Sequence, residues 1–149
     1  MKRDVLNVLL ADDDDDDRHF FKEAIEEVNE ETIFTMVNNG VELMEYLTNP
    51  EVHLPDIIFL DLNMPLRGGL ECVKEIRSND KLKNLTIAIY STSALEKDIE
   101  ETFRNGANIY IKKPSDFEEL KNHLTRVLNI NWQYHTLGLN RENFLLYIY

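Results

Sequence analysis

The sequence predicts an α/β fold: a doubly wound, five-stranded parallel sheet with helices on both faces. Three observations predict it. Short apolar runs alternate five times with segments whose apolar residues recur at helical spacing. The runs start roughly 25 residues apart, the length of a βα unit. Most of them are continuously apolar rather than alternating, the pattern of strands covered on both sides.

Val5 to Ala11 is the first run, and Phe20, Phe21, Ala24, Ile25 and Val28 mark the helix after it. Thr32 to Val37 is a β-branched second run, punctuated by Asn38-Asn39-Gly40. Val41 to Leu47 is a short helix stopped by Asn49-Pro50. Asp56 to Asp61 is the third strand. A loop with Pro65, Gly68 and Gly69 leads to a helix marked by Leu70, Val73 and Ile76. Leu85 to Tyr90 is the fourth strand. Leu95, Ile99 and Phe103 mark the next helix, which Asn105-Gly106 stops. Asn108 to Ile111 is the fifth strand, and Phe117, Leu120, Leu124, Val127 and Leu128 form the last apolar stripe.

Composition removes several function classes. The 149 residues suit one domain with a proper core. With 28 Asp plus Glu against 16 Lys plus Arg, the net charge is −12, a poor match to nucleic-acid phosphates. No apolar run is long enough to span a membrane, and the start lacks the apolar stretch of a signal peptide. The single cysteine, Cys72, can form neither an intrachain disulfide nor a Cys-rich zinc site and reads as a buried apolar residue. The four histidines have no metal-ligand spacing. A cytoplasmic protein is expected.

Sites in open parallel sheets lie at the carboxyl ends of the strands. Here those ends carry Asp12-Asp13, Asp61, Ser91-Thr92-Ser93 and Lys112-Lys113-Pro114. Two carboxylates 4 Å apart repel by about 4 kcal/mol at an effective dielectric near 20. A cation should relieve that repulsion, and an all-oxygen ligand set suits partly hydrated Mg²⁺. A carboxylate held beside Mg²⁺ and Lys can attack phosphorus, and a nearby hydroxyl can donate to the product's phosphoryl oxygen. The constellation points to aspartyl phosphate. Asp12 and Asp13 open a run of six aspartates that ends at Asp17. Asp14 to Asp17 read as a capped, solvated first helical turn. An EF-hand is rejected, because its sixth position requires Gly and holds Asp17.

Leu9-Leu10-Ala11-Asp12-Asp13, Asp61-Leu62-Asn63-Met64-Pro65 with Gly69, Ser91 and Lys113-Pro114 resemble the receiver domain of two-component response regulators, over roughly residues 5–128. The resemblance implies a flavodoxin-like sheet of order 2-1-3-4-5. It implies that Asp61 is the phosphoacceptor and that Asp13, Asp12, Asp61 and the backbone carbonyl of Asn63 hold Mg²⁺. By the same resemblance Lys113 contacts the phosphoryl group, Ser91 is the switch hydroxyl, Tyr110 is the aromatic switch, and Lys113-Pro114 is a cis peptide. Lys112 is then a solvated neighbour, because strand alternation aims only one of the two lysines at the site. Gly68, Ser91 and Thr92 depart from the commoner Asp, Thr and small residue. The implied partners are a histidine kinase or histidine phosphotransfer protein and a downstream protein. An aspartate-nucleophile phosphohydrolase is the rival, but it wants Asp-x-Asp, and position 63 is Asn.

The expected division is a receiver at 1–128 and an aromatic-rich extension at 129–149. The extension holds Trp132, Tyr134, Phe144, Tyr147 and Tyr149, and only Arg141 and Glu142 are charged. It should pack on the domain or form an interface. A homodimer through this tail, or through the face of the fourth helix, fifth strand and fifth helix, is a further expectation. No output module follows, so a stand-alone regulator is expected.

Overall fold

The computed structural model describes residues 5–29 and 31–129, so the expectations for 130–149 lie outside the described residues. The elements are β1 (Asn7–Ala11), α1 (Asp15–Val28), β2 (Ile33–Val37), α2 (Gly40–Thr48), β3 (Ile57–Leu60), α3 (Gly69–Ser78), β4 (Thr86–Ser91), α4 (Glu96–Arg104), β5 (Ile109–Lys112) and α5 (Phe117–Leu128). The five strands form one parallel sheet in the order β2-β1-β3-β4-β5. The fold is therefore the doubly wound, flavodoxin-like sheet that the sequence predicts.

Strand alternation explains the unbroken apolar runs. Leu9, Ala11, Ile58, Leu60, Ile87, Ile89 and Tyr110 face a core completed by α2, α3 and α4. Val8, Leu10, Ile57, Phe59, Ala88, Tyr90, Ile109 and Ile111 face the opposite core, completed by α1 and α5. Each strand thus supplies two hydrophobic layers, as parallel sheets require. β2 is an edge strand, and its first residue, Ile33, is half exposed. Cys72 is fully buried, and burial pushes its thiol up to about 11. Among the described residues, no helix is long and apolar enough to cross a membrane.

Three of the five helix starts in the described residues, those of α1, α2 and α5, are capped by short polar side chains. Asp14, Asn39 and Asp116 accept from the N–H groups of Asp17, Glu42 and Glu119. α4 ends in a Schellman turn: Gly106 has φ +104°, its N–H donates to the Phe103 carbonyl, and the Ala107 N–H donates to that of Thr102. Arg77, at the end of α3, ties this turn down. Its guanidinium donates to the carbonyls of Gly106 (2.9 Å), Lys83 (2.9 Å) and Leu85 (2.6 Å) and to Asn108 Oδ1 (2.8 Å). Asn108 Oδ1 also accepts from the Ile87 N–H, so one cation joins α3, β4 and the turn into β5.

Arg77→Met should therefore destabilise the domain by about 2–4 kcal/mol, since it strips a charged donor from several partly buried acceptors. Arg77→Lys should restore little, because one ammonium cannot reproduce the planar fork. The midpoints of urea unfolding measure both.

Candidate functional site

The sheet ladder runs one residue past three strand positions and so places the polar side chains. The Asp12 N–H donates to the Val37 carbonyl (3.1 Å), that of Asp61 to Ala11 (3.0 Å), and that of Lys113 to Ser91 (2.8 Å). Backbone hydrogen bonds of the one sheet thus place Asp12, Asp61 and Lys113 at the same edge. Asp12, Asp61 and Ser91 are all buried, whereas Asp13 is exposed.

Each of the three buried polar groups is then oriented by its own loop. Asp12 Oδ1 accepts from the Asp14 N–H (3.0 Å), Asp61 Oδ1 from the Asn63 N–H (3.3 Å), and Ser91 Oγ from the Ser93 N–H (3.1 Å). These are Asx and Ser/Thr turns, in which a one-carbon side chain reaches the N–H two residues on. After Asp61 the chain must also clear α3. A Cβ on Gly69 would fall 2.3 Å from the Asp61 carbonyl oxygen, so only glycine lets the helix start this close.

Lys113 sits at the centre. Its Nζ lies 2.8 Å from Asp12 Oδ2, 2.8 Å from Asp17 Oδ2 and 3.4 Å from Asp61 Oδ2, and 5.3 Å from the centroid of the Tyr90 ring. Burial alone would lower its pKa, but the contacts with Asp12 and Asp17, and the charge of Asp61 behind them, outweigh it and hold the ammonium charged. Burial pushes the Asp61 carboxyl up to about 6. Lys113 pulls it down, Asp12 pushes it up, and the Asn63 N–H pulls it down.

The carboxylates of Asp12, Asp13 and Asp61 bring ligand oxygens within 4.8 Å of one another. Asp12 Oδ2 is fully buried and accepts no hydrogen bond among the described residues, since its approach to Lys113 lies outside hydrogen-bond angles. The Lys113 ammonium meets this oxygen as an ion pair at 2.8 Å, but one ammonium cannot offset three clustered carboxylates. Oxygen ligands and surplus negative charge fit a hard divalent ion such as Mg²⁺.

The structure brings Asp12, Asp13, Asp61 and Lys113 together, and it ties Ser91 and Tyr110 to Ser93 in the loop after β4. Asn63 is exposed, and its N–H turns back to Asp61. Tyr110 is fully buried in β5 with its hydroxyl donating to the Ser93 carbonyl (2.8 Å). Lys112 is exposed, as strand alternation requires, and Thr92 is exposed beside Ser91. The Lys113–Pro114 peptide is trans, against the expected cis form; trans is the intrinsically favoured state, by about 0.5–1 kcal/mol. Asp17 is the larger correction. It is not merely a solvated member of the acidic turn, because it pairs with Lys113. Cβ vectors on a helix tilt toward its N-terminus, so a first-turn carboxylate can reach over the helix start to the sheet edge. Ser93 also carries more than its position suggested: its Oγ donates to Asp98 Oδ2 (2.5 Å) and accepts from the Leu95 N–H (3.2 Å). One residue thus touches Ser91, Tyr110 and α4.

The sequence matches the response regulator receiver domain family over residues 8–125. It is 29% identical over 108 residues to the polar-differentiation response regulator DivK of Brucella anthropi, spanning 72% of this chain and 84% of that one. It is 29% identical over 127 residues to the chemotaxis protein CheY1 of Helicobacter pylori, spanning 85% and 99%. Among solved structures, the phosphorylated cyanobacterial phytochrome response regulator RcpA superposes with a TM-score of 0.77 at 29% identity, covering 83% of this chain and 91% of that one.

In the metal-free protein, a carbon-detected titration of the Asp61 carboxyl should have its midpoint near pH 6. The folded protein then holds a proton that the unfolded chain has released between about pH 4 and 6, so this group's contribution to stability falls as pH rises through that window. Added Mg²⁺ should move the midpoint down; a midpoint in the ordinary carboxylate range without metal would contradict the buried setting.

Proposed function

The chain belongs to the response regulator receiver domain family, and we propose that it accepts a phosphoryl group on Asp61 from a histidine kinase or histidine phosphotransfer protein, with Mg²⁺. Proteins of this kind are signalling proteins rather than classical enzymes. The observation that carries the reading is the buried Asp61 carboxylate, flanked by Asp12 and Asp13 and faced by the Lys113 ammonium.

Asp12, Asp13, Asp61 and the Asn63 carbonyl would hold the ion, which when bound neutralises charge on the phosphoryl oxygens. Asp61 contributes an ionised oxygen as nucleophile. That oxygen attacks phosphorus, the P–N bond of the donor phosphohistidine breaks, and the imidazole leaves with the bonding electron pair. Lys113 offsets the charge that builds on the transferring group, and the Ser91 hydroxyl donates to a phosphoryl oxygen of the product.

The same hydroxyl supplies the switch. Ser91 Oγ accepts from Ser93, and the Ser93 carbonyl holds Tyr110. Drawing Ser91 toward the phosphoryl group loosens the Ser93 turn, and with it the Tyr110 hydroxyl and the Asp98 tie to α4. The readout is a population shift of a few kcal/mol on the face of α4, β5 and α5, where a downstream protein or a second copy would dock. The setting is cytoplasmic, where such donors act.

Incubation with acetyl phosphate and Mg²⁺ should add one phosphoryl group by intact mass, and Asp61→Asn or excess chelator should abolish it. Phosphate retained on Asp61→Asn overturns the assignment. Steady turnover of small phosphate esters would instead favour a phosphohydrolase.

A further inference from the structure

We propose that Asp17 is a positioning residue that holds Lys113 off the acceptor carboxylate. The inference rests on the receiver reading and adds a residue to its machinery. The lysine ammonium has three donors and is almost fully buried, so its neighbours decide where it stands. Two of them, Asp12 and Asp17, lie at 2.8 Å, whereas Asp61 lies at 3.4 Å. Asp12 approaches outside hydrogen-bond angles, which leaves Asp17 as the short hydrogen-bonded partner.

Asp17 is also well placed to act as an anchor. Its backbone N–H is bound by the Asp14 cap, so it stands on a fixed turn of α1. Its side chain is 39% exposed, so it meets the buried ammonium from the solvent side of the site. It therefore draws the ammonium toward α1. Were the ammonium to close on Asp61 instead, the tight ion pair would mask the nucleophilic oxygen. At its observed place it remains within reach of the oxygens of an incoming phosphoryl group.

Asp17→Asn keeps the shape and removes the anchor. Asp16→Asn is the matched control: it removes the same charge from the same turn, at an exposed residue with no ion pair among the described residues. Two measurements on the full chain decide. The Lys113 ε-ammonium signal of lysine-¹⁵N-labelled protein, assigned by its loss in Lys113→Met, should shift or broaden away in Asp17→Asn and stay put in Asp16→Asn. Phosphorylation by acetyl phosphate, at Mg²⁺ saturating for each variant, should be about five-fold slower in Asp17→Asn than in Asp16→Asn. Equal ammonium spectra for the two variants overturn the proposal, and so do equal rates in a chain whose wild type is phosphorylated. If the wild type takes up no phosphoryl group, the receiver function fails instead, and the ammonium signal alone decides whether Asp17 holds the lysine.

Discussion

The site depends on one electrostatic constraint: a parallel sheet ends two strands in carboxylates at the same edge, and among the described residues one ammonium, that of Lys113, reaches them. Asp12, Asp13, Asp17 and Asp61 surround or adjoin Lys113. Fully ionised, they leave an excess of three negative charges, which a divalent cation would reduce to one. The other features follow from tolerating that excess. The lysine is buried against Tyr90 yet kept charged, Asp61 is held partly in reserve by a raised pKa, and Arg18 donates to the Asp12 carbonyl and to Asp15 (2.7 and 2.9 Å), steadying the acidic turn.

Stability and reactivity are kept at opposite ends of the sheet. At the amino edge, Arg77 satisfies three carbonyls and an amide oxygen with one guanidinium. Its charge is spent on hydrogen bonds inside a turn. At the carboxyl edge, among the described residues, the buried Asp12 Oδ2 has no hydrogen-bond donor. A domain that carries unsatisfied charge at one edge needs firm packing elsewhere, and the two hydrophobic layers on either face of the sheet provide it.

Much of this was legible in the sequence, for a definite reason. Five apolar runs each stop at a polar residue, and in a parallel sheet the stopping points share an edge. Asp12, Asp61, Ser91 and Lys113 could thus be assigned together, and alternation separated Lys113 from Lys112. Boundaries moved by a residue or two where burial fades, as at Val5, which is exposed and precedes β1. Asp17 was hidden because six identical residues carry no contrast. Only helical phase distinguishes it, and that requires knowing that Asp14 is the cap. The Arg77 hub was illegible because its acceptors are backbone carbonyls, which leave no mark in a sequence.

The turns that orient Asp12, Asp61 and Ser91 limit which residues can stand there. Each spans only two residues and is closed by a side chain with a single carbon before its oxygen-bearing group. Glutamate at 12 or 61 would carry the same charge but overshoot the N–H that aims it. The geometry of each turn is also local, so loop residues that touch neither the site nor the helix start, unlike Asp17 and Gly69, are free to vary. One reactive centre can thereby be kept intact while the surrounding surface is rewritten for different partners.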